Sequence, residues 1–505
     1  MAVNQLKAGA VLNYLVIFLN LAIGLLYTPY MLRMMGQSEY GLYSLVASII
    51  CYLTVLDLGI GNAVIRYTAK FRAERKVKEQ YEMFGMFLVV YFIIGFIALL
   101  LGIALYLNVD NMFGHTMNST ELEHARTMML ILIFNLVFTF PMSIFGSIIT
   151  AYEHFIFPKV INILRIILNT VIMIILLSMG YKAVAMVVLS TIFNVATLLL
   201  NYLYCKRVLH IRIYWGHFEM NFIKEVAIYS FWILLSVLMD RIYWSTGQFV
   251  LGAVSGTIAV SVFAVAIQLE TMYMAFSTAI ASVFLPKVTA LVTKDNNKKE
   301  ISDLFIRTGR VQSIVMSFIL LGFLVFGHQF IILWAGNAYA DAYYMALMIF
   351  IALYVPVIQN LGVTILQARN EMKFRSLLYI VIAFVALVAE FVFAKIWGGI
   401  GCAVAISTAL ILGQGVIMNW YYMRKQYINI LSFWKQILQM NFIPIIWSMI
   451  FMCIQREYMF TNSWTNLFIG IILYIIIYIP LCWFFSMNNY ERNLLVLPIL
   501  NKIKK

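Results

Sequence analysis

Apolar residues recur along the chain in blocks of about twenty, and short polar segments separate the blocks. A helix needs roughly twenty apolar residues to cross about 30 Å of hydrocarbon, whereas strands of outer-membrane barrels are about ten residues long and alternate in polarity. The blocks therefore predict about fourteen transmembrane helices. The predicted spans are 9–32, 41–65, 83–107, 127–150, 160–179, 181–204, 226–250, 257–285, 311–335, 344–366, 376–396, 401–422, 438–455 and 464–485.

Basic residues are distributed unevenly between the predicted loops. If the N-terminus is cytoplasmic, most of the 35 Lys and Arg residues fall in cytoplasmic segments, above all in 66–78, 206–224 and 287–310. Loops rich in Lys and Arg remain on the cytoplasmic side of a membrane. The pattern predicts a multi-pass protein with both termini in the cytoplasm. It also explains the net charge of +14 without nucleic-acid binding, because the basic residues are dispersed over many short loops.

Composition agrees with this class. The chain is 64% hydrophobic and 11% charged, which leaves too little polar surface for a water-soluble globule. The five Cys and six His residues show no metal-ligand spacing, and the glycines form no nucleotide-binding pattern. We therefore expect an all-α integral membrane protein with no metal, no cofactor and no enzymatic chemistry.

The second half of the chain repeats the organisation of the first, at a shift of about 220 residues. Gly36 opens the second span and Gly256 opens the eighth, with small and aromatic residues following in register. Further pairs are Pro141 with Pro356, Ala151 with Ala368, and Gly180 with the glycines in 398–401. A shift of six helices preserves orientation, which predicts two parallel-related six-helix lobes around a central cleft. The predicted domains are 1–215, 216–430 and two additional helices in 431–505.

One stretch adds a family resemblance. The segment from Asp57 through Gly59 and Gly61 to Arg66, together with the turn at 34–43, resembles the polysaccharide transporter branch of the MOP superfamily, the Wzx-type O-antigen or capsule repeat-unit flippases. The resemblance implies a V-shaped pair of lobes that alternates between inward and outward openings in the bacterial cytoplasmic (inner) membrane. It also implies a substrate that is an oligosaccharide on undecaprenyl pyrophosphate, with membrane lipids and the polysaccharide polymerase machinery as further partners.

Charged residues inside the spans are the candidate site residues, because a charge near the bilayer centre costs at least about 2.5 kcal/mol. Asp57 lies deep in span 2, where it either lines a cavity or gate, or caps and pairs with Arg66 at the mouth. Span 7 carries Asp240, Arg241 and Trp244. The guanidinium of Arg241 offers a fork of donors that matches pyrophosphate oxygens, so Arg241 is the predicted phosphate-recognition residue, with a structural ion pair as the alternative.

Span 8 carries Glu270 on one face with Tyr273. Glu270 is predicted either to bind a coupling ion, H+ or Na+, to solvate the cavity, or to pair with Arg241; Asp240 is the second coupling-ion candidate. Glu390 and Lys395 on span 11 are expected to be interfacial anchors.

Three other functions remain open on the sequence. A cation-coupled small-molecule exporter of the MATE type would share the architecture, and so would a lipid II flippase. A membrane glycosyltransferase or ligase would normally need a large polar domain, whereas the predicted loops are short. The leading interpretation is a flippase that moves undecaprenyl-pyrophosphate-linked repeat units from the inner to the outer leaflet, with a hydrated polar cleft replacing the water around the headgroup.

Overall fold

The computed structural model describes residues 5–57, 59–215, 220–294, 297–369, 371–458 and 463–494, and these residues form helices and turns without strands. The chain divides into two compact units, Met1–Ala264 and Val265–Lys505. The division follows contacts between helices and falls inside one long helix. The predicted domain boundaries near residues 215 and 430 follow the repeat instead, and they stay predictions.

The helices of the first unit are α1 (Gln5–Met35), α2 (Gln37–Leu53), α3 (Ile60–Ala73), α4 (Val77–Leu107), α5 (Val109–Phe113), α6 (Ser119–Ala151), α7 (Ile156–Ser178), α8 (Ala183–Arg207), α9 (Met220–Val254) and the beginning of α10 (Thr257–Lys294). The second unit contains the rest of α10 and α11 (Lys298–Trp334), α12 (Ala342–Ile358), α13 (Asn360–Ala368), α14 (Lys373–Leu410), α15 (Met418–Arg424), α16 (Ile430–Tyr458) and α17 (Trp464–Leu481).

The predicted all-α membrane class is confirmed. Within the described residues, 11 helices are long and apolar enough to cross a membrane, and α12 with α13, bent by 40°, forms a further broken span. One of the 11 is a continuous run of 52 residues, Lys373–Arg424. At 1.5 Å per residue it is about 78 Å long, more than twice the hydrocarbon thickness, so it accommodates both predicted spans 11 and 12 around the non-helical Gly398. Together with α9, these helices match the fourteen predicted spans.

Glycines mark the corresponding points of the two repeats. Gly36, before α2, has φ +80°, and Gly256, before α10, has φ +82°. A side chain would strain this left-handed backbone, which explains why glycine stands at both positions. The repeat also pairs the ends of two later helices, because α6 ends at Ala151 and α13 ends at Ala368. The repeated sequence positions therefore share backbone geometry as well as residue type.

Two predicted boundaries are wrong in an instructive way. The segment 287–310 was expected to be a cytoplasmic loop, but α10 continues to Lys294 and α11 begins at Lys298. Lys and Arg are good helix formers, and their long stems let charged heads reach water from a helix end. Span 2 was expected to be one helix, but a 3₁₀ turn at Thr54–Asp57 and a left-handed Gly59 (φ +65°) interrupt it before α3.

Polar side chains connect helices inside the first unit. Asn194 of α8 donates to the side chains of Asn135 and Thr139 of α6, each at 2.8 Å. The ammonium of Lys159 on α7 donates to Asn13 of α1 at 2.6 Å. Hydrogen bonds between membrane helices typically contribute about 0.6 kcal/mol each, so several are needed to define how the helices pack.

The two additional C-terminal spans, α16 and α17, pack on α11 in the second unit. A cluster of buried side chains joins the three helices, including Phe326, Phe451 and Tyr474. Ser448 and Tyr474 share a hydrogen bond of 2.8 Å within this cluster. Nearer the start of α16, Asn441 donates to the hydroxyls of Ser313 and Tyr354 at 3.0 and 2.9 Å. These bonds connect α16 to α11 and α12.

The second unit also contains one buried ion pair. Arg310 of α11 is 8% exposed and Glu491 is 2% exposed. The Nε of Arg310 donates to Glu491 at 2.5 Å, and its Nη2 donates to the other carboxylate oxygen at 3.0 Å and to the carbonyl of Ser486 at 3.1 Å. This two-pronged geometry satisfies both charges and attaches the residues that follow α17 to the polar end of α11.

Replacing Glu491 with Gln should destabilise the protein strongly, because it leaves the buried Arg310 guanidinium without its counter-charge. Breaking such a pair typically costs about 3–5 kcal/mol. Thermal unfolding of the detergent-purified variant measures the loss. Glu300→Gln, which changes an exposed acid at the start of α11, is the matched control and should melt like the parent protein. Equal melting temperatures for both variants would contradict the proposed importance of the pair.

Candidate polar site in the first unit

Asp57 lies at the break in span 2, and its surroundings are polar. The side chain is half-buried and lies next to the buried hydroxyl of Tyr91, which in turn neighbours Ser143. A Cβ added at Gly61 would lie 3.0 Å from the hydroxyl of Ser147. Gly61 therefore lets α3 approach α6 closely, and the cluster gathers the carboxylate of the turn at Thr54–Asp57 with hydroxyls from α4 and α6.

Helices α2 and α9 are packed antiparallel. Two contacts between them, and a third between α2 and the first residue of α10, define their register. Tyr52 and Thr246 form a hydrogen bond. A Cβ added at Gly252 would lie 2.6 Å from Leu45, and one added at Gly41 would collide with the carbonyl oxygen of Thr257. From Leu45 to Tyr52 along α2, the contacting residue of α9 thus moves from Gly252 back to Thr246.

Extending this register by five residues beyond the Tyr52–Thr246 contact places Asp57 level with Arg241. The 3₁₀ turn that ends at Asp57 does pack against α9. Arg241 is half-buried, and its Nε is buried without a hydrogen-bond partner. The ion pairs of the described residues include neither Asp57 nor Arg241. From this register we infer that the first unit holds opposite charges at about the same level of the 3₁₀ turn and α9, without an ion pair between them.

The other predicted residues of the first unit differ in their exposure and neighbours. Asp240 is exposed, and Trp244 is half-buried with its ring centroid 6.3 Å from that of Tyr243. Arg66 is exposed, and its guanidinium carbon lies 6 Å or less, at 5.7 Å, from the centroid of the Tyr67 ring. A cation over an aromatic face is stabilised there, so Arg66, in the middle of α3, has a local partner.

Glu270 and Tyr273 belong to the second unit and are buried within it. Glu270 is 4% exposed, and one of its carboxylate oxygens accepts a hydrogen bond of 3.3 Å from Thr271. The ring of Tyr273 stacks on Phe350 at 4.5 Å, and its hydroxyl donates to the carbonyl of Met316 at 3.3 Å. The Tyr273 side chain thus has packing partners of its own, and its predicted role in a cavity stays a prediction.

Glu390 on α14 was expected to be an interfacial anchor, and this is wrong. The residue is 0% exposed, and neither carboxylate oxygen has a hydrogen-bond partner. Only its neighbour Lys395, which is exposed, fits the expectation. The apolar positions around Glu390 gave no sign of its burial, because a helix that is apolar on all sides does not reveal which face meets a neighbouring helix.

Glu121 is a polar contact point that the sequence alone did not suggest. Its carboxylate accepts hydrogen bonds from Ser38 at the start of α2 and from Thr257 at the start of α10, the latter at 2.8 Å. Beside it, Thr116 donates to the carbonyl of Gly252 at 2.7 Å. These bonds hold the beginning of α2, the end of α9 and the beginning of α10 together at one end of the first unit.

The described residues contain no group of three or more His, Cys, Asp or Glu side chains that could hold a metal ion. Long apolar helices with isolated charges inside them define a multi-pass membrane protein of the transporter type. Comparisons with known proteins agree. The family model described as polysaccharide biosynthesis protein matches residues 6–292, and the chain belongs to this family. No curated protein sequence matches the chain.

Solved structures with a similar fold are transporters and flippases. A lipid II flippase, MurJ, in an inward closed conformation has a TM-score of 0.68 and 17% identity, covering 93% of this chain and 97% of its own. An inward-facing multidrug resistance MATE family transporter of the MOP superfamily has a TM-score of 0.61 and 16% identity, covering 82% and 99%. A MOP superfamily transporter from Pyrococcus furiosus has a TM-score of 0.55 and 15% identity, covering 85% and 94%. At these identities the likeness concerns the fold.

Replacing Glu390 with Gln should leave the stability nearly unchanged, because no ion pair or hydrogen bond to the carboxylate is lost. We expect the free energy of unfolding to change by less than about 1 kcal/mol. Thermal unfolding beside Glu491→Gln provides the comparison, since both variants convert a buried acid to its amide. A loss for Glu390→Gln as large as that for Glu491→Gln would contradict the absence of a partner.

Proposed function

We propose that this protein is a flippase that moves undecaprenyl-pyrophosphate-linked oligosaccharide repeat units from the inner to the outer leaflet of the bacterial cytoplasmic membrane. The family membership and the fold shared with a lipid II flippase support a lipid-linked saccharide as the substrate class. In this proposal both termini are cytoplasmic, and the polymerase machinery receives the product.

The observation that carries the proposal is the unpaired Arg241. A guanidinium without a hydrogen-bond partner at its Nε, at membrane depth, is costly to keep unless it serves a ligand. Pyrophosphate oxygens accept two parallel bonds from a guanidinium, and a half-buried site strengthens such bonds relative to water. When the substrate leaves, the negative charge of Asp57 at the same level partly compensates the positive charge of the guanidinium. In this mechanism the headgroup exchanges its water for Arg241 and the hydroxyls near Asp57, while the polyprenyl tail stays in lipid.

Alternating access provides the movement. The hydrogen bonds of Glu121 to Ser38 and Thr257 close the end of the first unit that the charge distribution predicts to be periplasmic. Opening that end requires these bonds to break and the close contact between Gly41 and Thr257 to separate. A MATE-type exporter remains the second candidate because of the fold it shares.

Reconstitution tests the substrate. Proteoliposomes that contain the purified protein receive a fluorescently labelled undecaprenyl-pyrophosphate oligosaccharide, lipid II or ethidium, and a membrane-impermeant quencher reports the accessible fraction. We expect protein-dependent movement of the oligosaccharide carrier. Movement of lipid II alone would assign the protein to cell-wall synthesis, and accumulation of ethidium alone would favour the exporter; either result contradicts the proposal.

Replacing Arg241 with Gln should weaken binding of the pyrophosphate carrier by about tenfold to a hundredfold, which corresponds to the loss of about 1.5–3 kcal/mol from a charged hydrogen bond. Arg241→Lys keeps the positive charge but loses the forked set of donors, so its affinity for the carrier should lie between those of the parent protein and Arg241→Gln. Binding of the carrier to the detergent-purified variants measures both effects. Lys395→Gln removes an exposed cation as a control. Undiminished binding by Arg241→Gln refutes the assignment.

We further propose that transport is coupled to H+ or Na+ at Glu270, with Asp240 as the second candidate. A carboxylate with a single hydroxyl partner inside the bundle can gain a cation with little rearrangement. Glu270→Gln should therefore abolish the dependence of flipping on imposed pH or sodium gradients, measured in the same proteoliposomes. Glu300→Gln is the control. A variant at Glu270 whose gradient dependence equals that of the parent protein excludes the coupling role.

A further inference from the structure

A polar cavity lies in the second unit, at the N-terminal end of α11. Its volume is about 580 Å³, and side chains from the first turns of α11, from the loop before α16 and from the segment after α17 surround it. Helix α11 has 37 residues, so it is about 55 Å long and extends well beyond about 30 Å of hydrocarbon. Its apolar part begins at Val311. The cavity surrounds the residues before that point, and therefore lies at the level of the lipid headgroups.

The charges that surround this cavity are mostly positive. Lys298, Lys299, Arg307 and Arg310 line it, with Asp303 as the acidic residue among the lining side chains. The buried ion pair with Glu491 neutralises Arg310 and holds its side chain in a fixed position in the cavity wall. Three exposed cations thus face one carboxylate. Among the described residues, Lys298, Lys299 and Arg307 form no ion pair.

Contacts between the lining residues also hold the walls of the cavity in place. The ammonium of Lys298 lies 3.5 Å from the centroid of the Tyr427 ring, which holds that cation at the rim. The backbone N–H of Asn429 donates to Ser302 at 2.9 Å, which fixes the loop against α11. Asn488 and Glu491 exchange hydrogen bonds of 2.9 Å between backbone N–H groups and side chains and hold the opposite wall. Basic residues whose sole role is to determine the orientation of the chain in the membrane need none of these contacts.

We propose that this cavity binds the phosphate group of an anionic lipid headgroup at the membrane surface, at a place separate from Arg241. Phosphate oxygens accept hydrogen bonds from Lys and Arg. The depth of the cavity, next to the first apolar turn of α11, favours a phosphate that is attached to a lipid over a phosphate free in solution. This site does not depend on the proposed function, because any anionic phospholipid satisfies it.

Binding of phosphatidylglycerol to the full-length protein in detergent tests the proposal, with phosphatidylcholine as the zwitterionic reference. The variant K298Q/K299Q/R307Q should bind phosphatidylglycerol about tenfold to a hundredfold more weakly, because each cation near a membrane surface adds appreciably to anionic lipid affinity. The control K70Q/K206Q/R207Q removes the same charge from exposed positions of the first unit and should bind as the parent protein does. Melting temperatures of both variants verify folding.

Competition identifies the source of the phosphate. Displacement of phosphatidylglycerol by undecaprenyl pyrophosphate, but not by millimolar inorganic pyrophosphate, would support a lipid-attached headgroup. Equal displacement by inorganic pyrophosphate would overturn the lipid assignment and indicate a site for soluble phosphates. An equal loss of phosphatidylglycerol binding in the two triple variants would show that general surface charge is responsible, and an unchanged affinity of K298Q/K299Q/R307Q would show that the cavity is not used; both results overturn the proposal. Flipping by the same variant is measured separately, so failure of this site is distinguishable from failure of Arg241.

Discussion

The cost of a polar or charged group inside hydrocarbon is the constraint on which this structure depends. Most such groups in the described residues meet it by pairing. Ser448 is held by Tyr474 in the second unit, and Asn194 is held by Asn135 in the first. A group that stays unpaired at membrane depth loses several kcal/mol of solvation, so it is a candidate to face a ligand, an ion or water. Arg241 and Glu390 are such groups.

Packing between α2 and α9 gives the unpaired guanidinium its surroundings. Gly252 of α9 meets Leu45, and Gly41 of α2 meets Thr257 at the start of α10, without room for added side chains, so α2 cannot slide along α9 and the start of α10 without a collision. The break at Asp57 then interrupts α2 at the level of Arg241. Backbone groups freed by such a break need polar partners, and the hydroxyls near Tyr91 provide a polar environment there. Rigid packing towards one end and a polar break towards the other suit a helix pair that holds an anionic headgroup.

Much of the architecture could be predicted from the sequence, because membrane thickness imposes a length on every apolar block. The repeat was visible for a similar reason: Gly36 and Gly256 stand where only a residue without a side chain fits comfortably. The break at Thr54–Asp57 was not predicted although Gly59 and Gly61 follow it, because glycine is also common inside membrane helices. Helical continuation through the basic segments was also missed, because charge indicates a solvent-exposed position and not a loop.

The candidate site could be predicted only as a set of charged residues. Periodicity places Asp57 and Arg241 at membrane depth, but it does not reveal the register between two helices that are far apart in sequence. That register depends on Tyr52 and Thr246, two ordinary residues whose hydrogen bond has no counterpart in any motif. The burial of Glu390 escaped prediction for a related reason, because all faces of its helix are apolar.

Water accessibility at the depth of Arg241 tests the central claim most directly. Single cysteines at positions 57, 241 and 244 are introduced into a variant that lacks the five free native cysteines, and each is exposed to a charged, membrane-impermeant thiol reagent in native membranes. The account predicts rapid modification at positions 57 and 241, and protection of position 57, where Arg241 is still present, by the undecaprenyl-pyrophosphate carrier. If both positions react only after the protein is unfolded, Arg241 faces lipid or packed protein, and the proposed headgroup site does not exist.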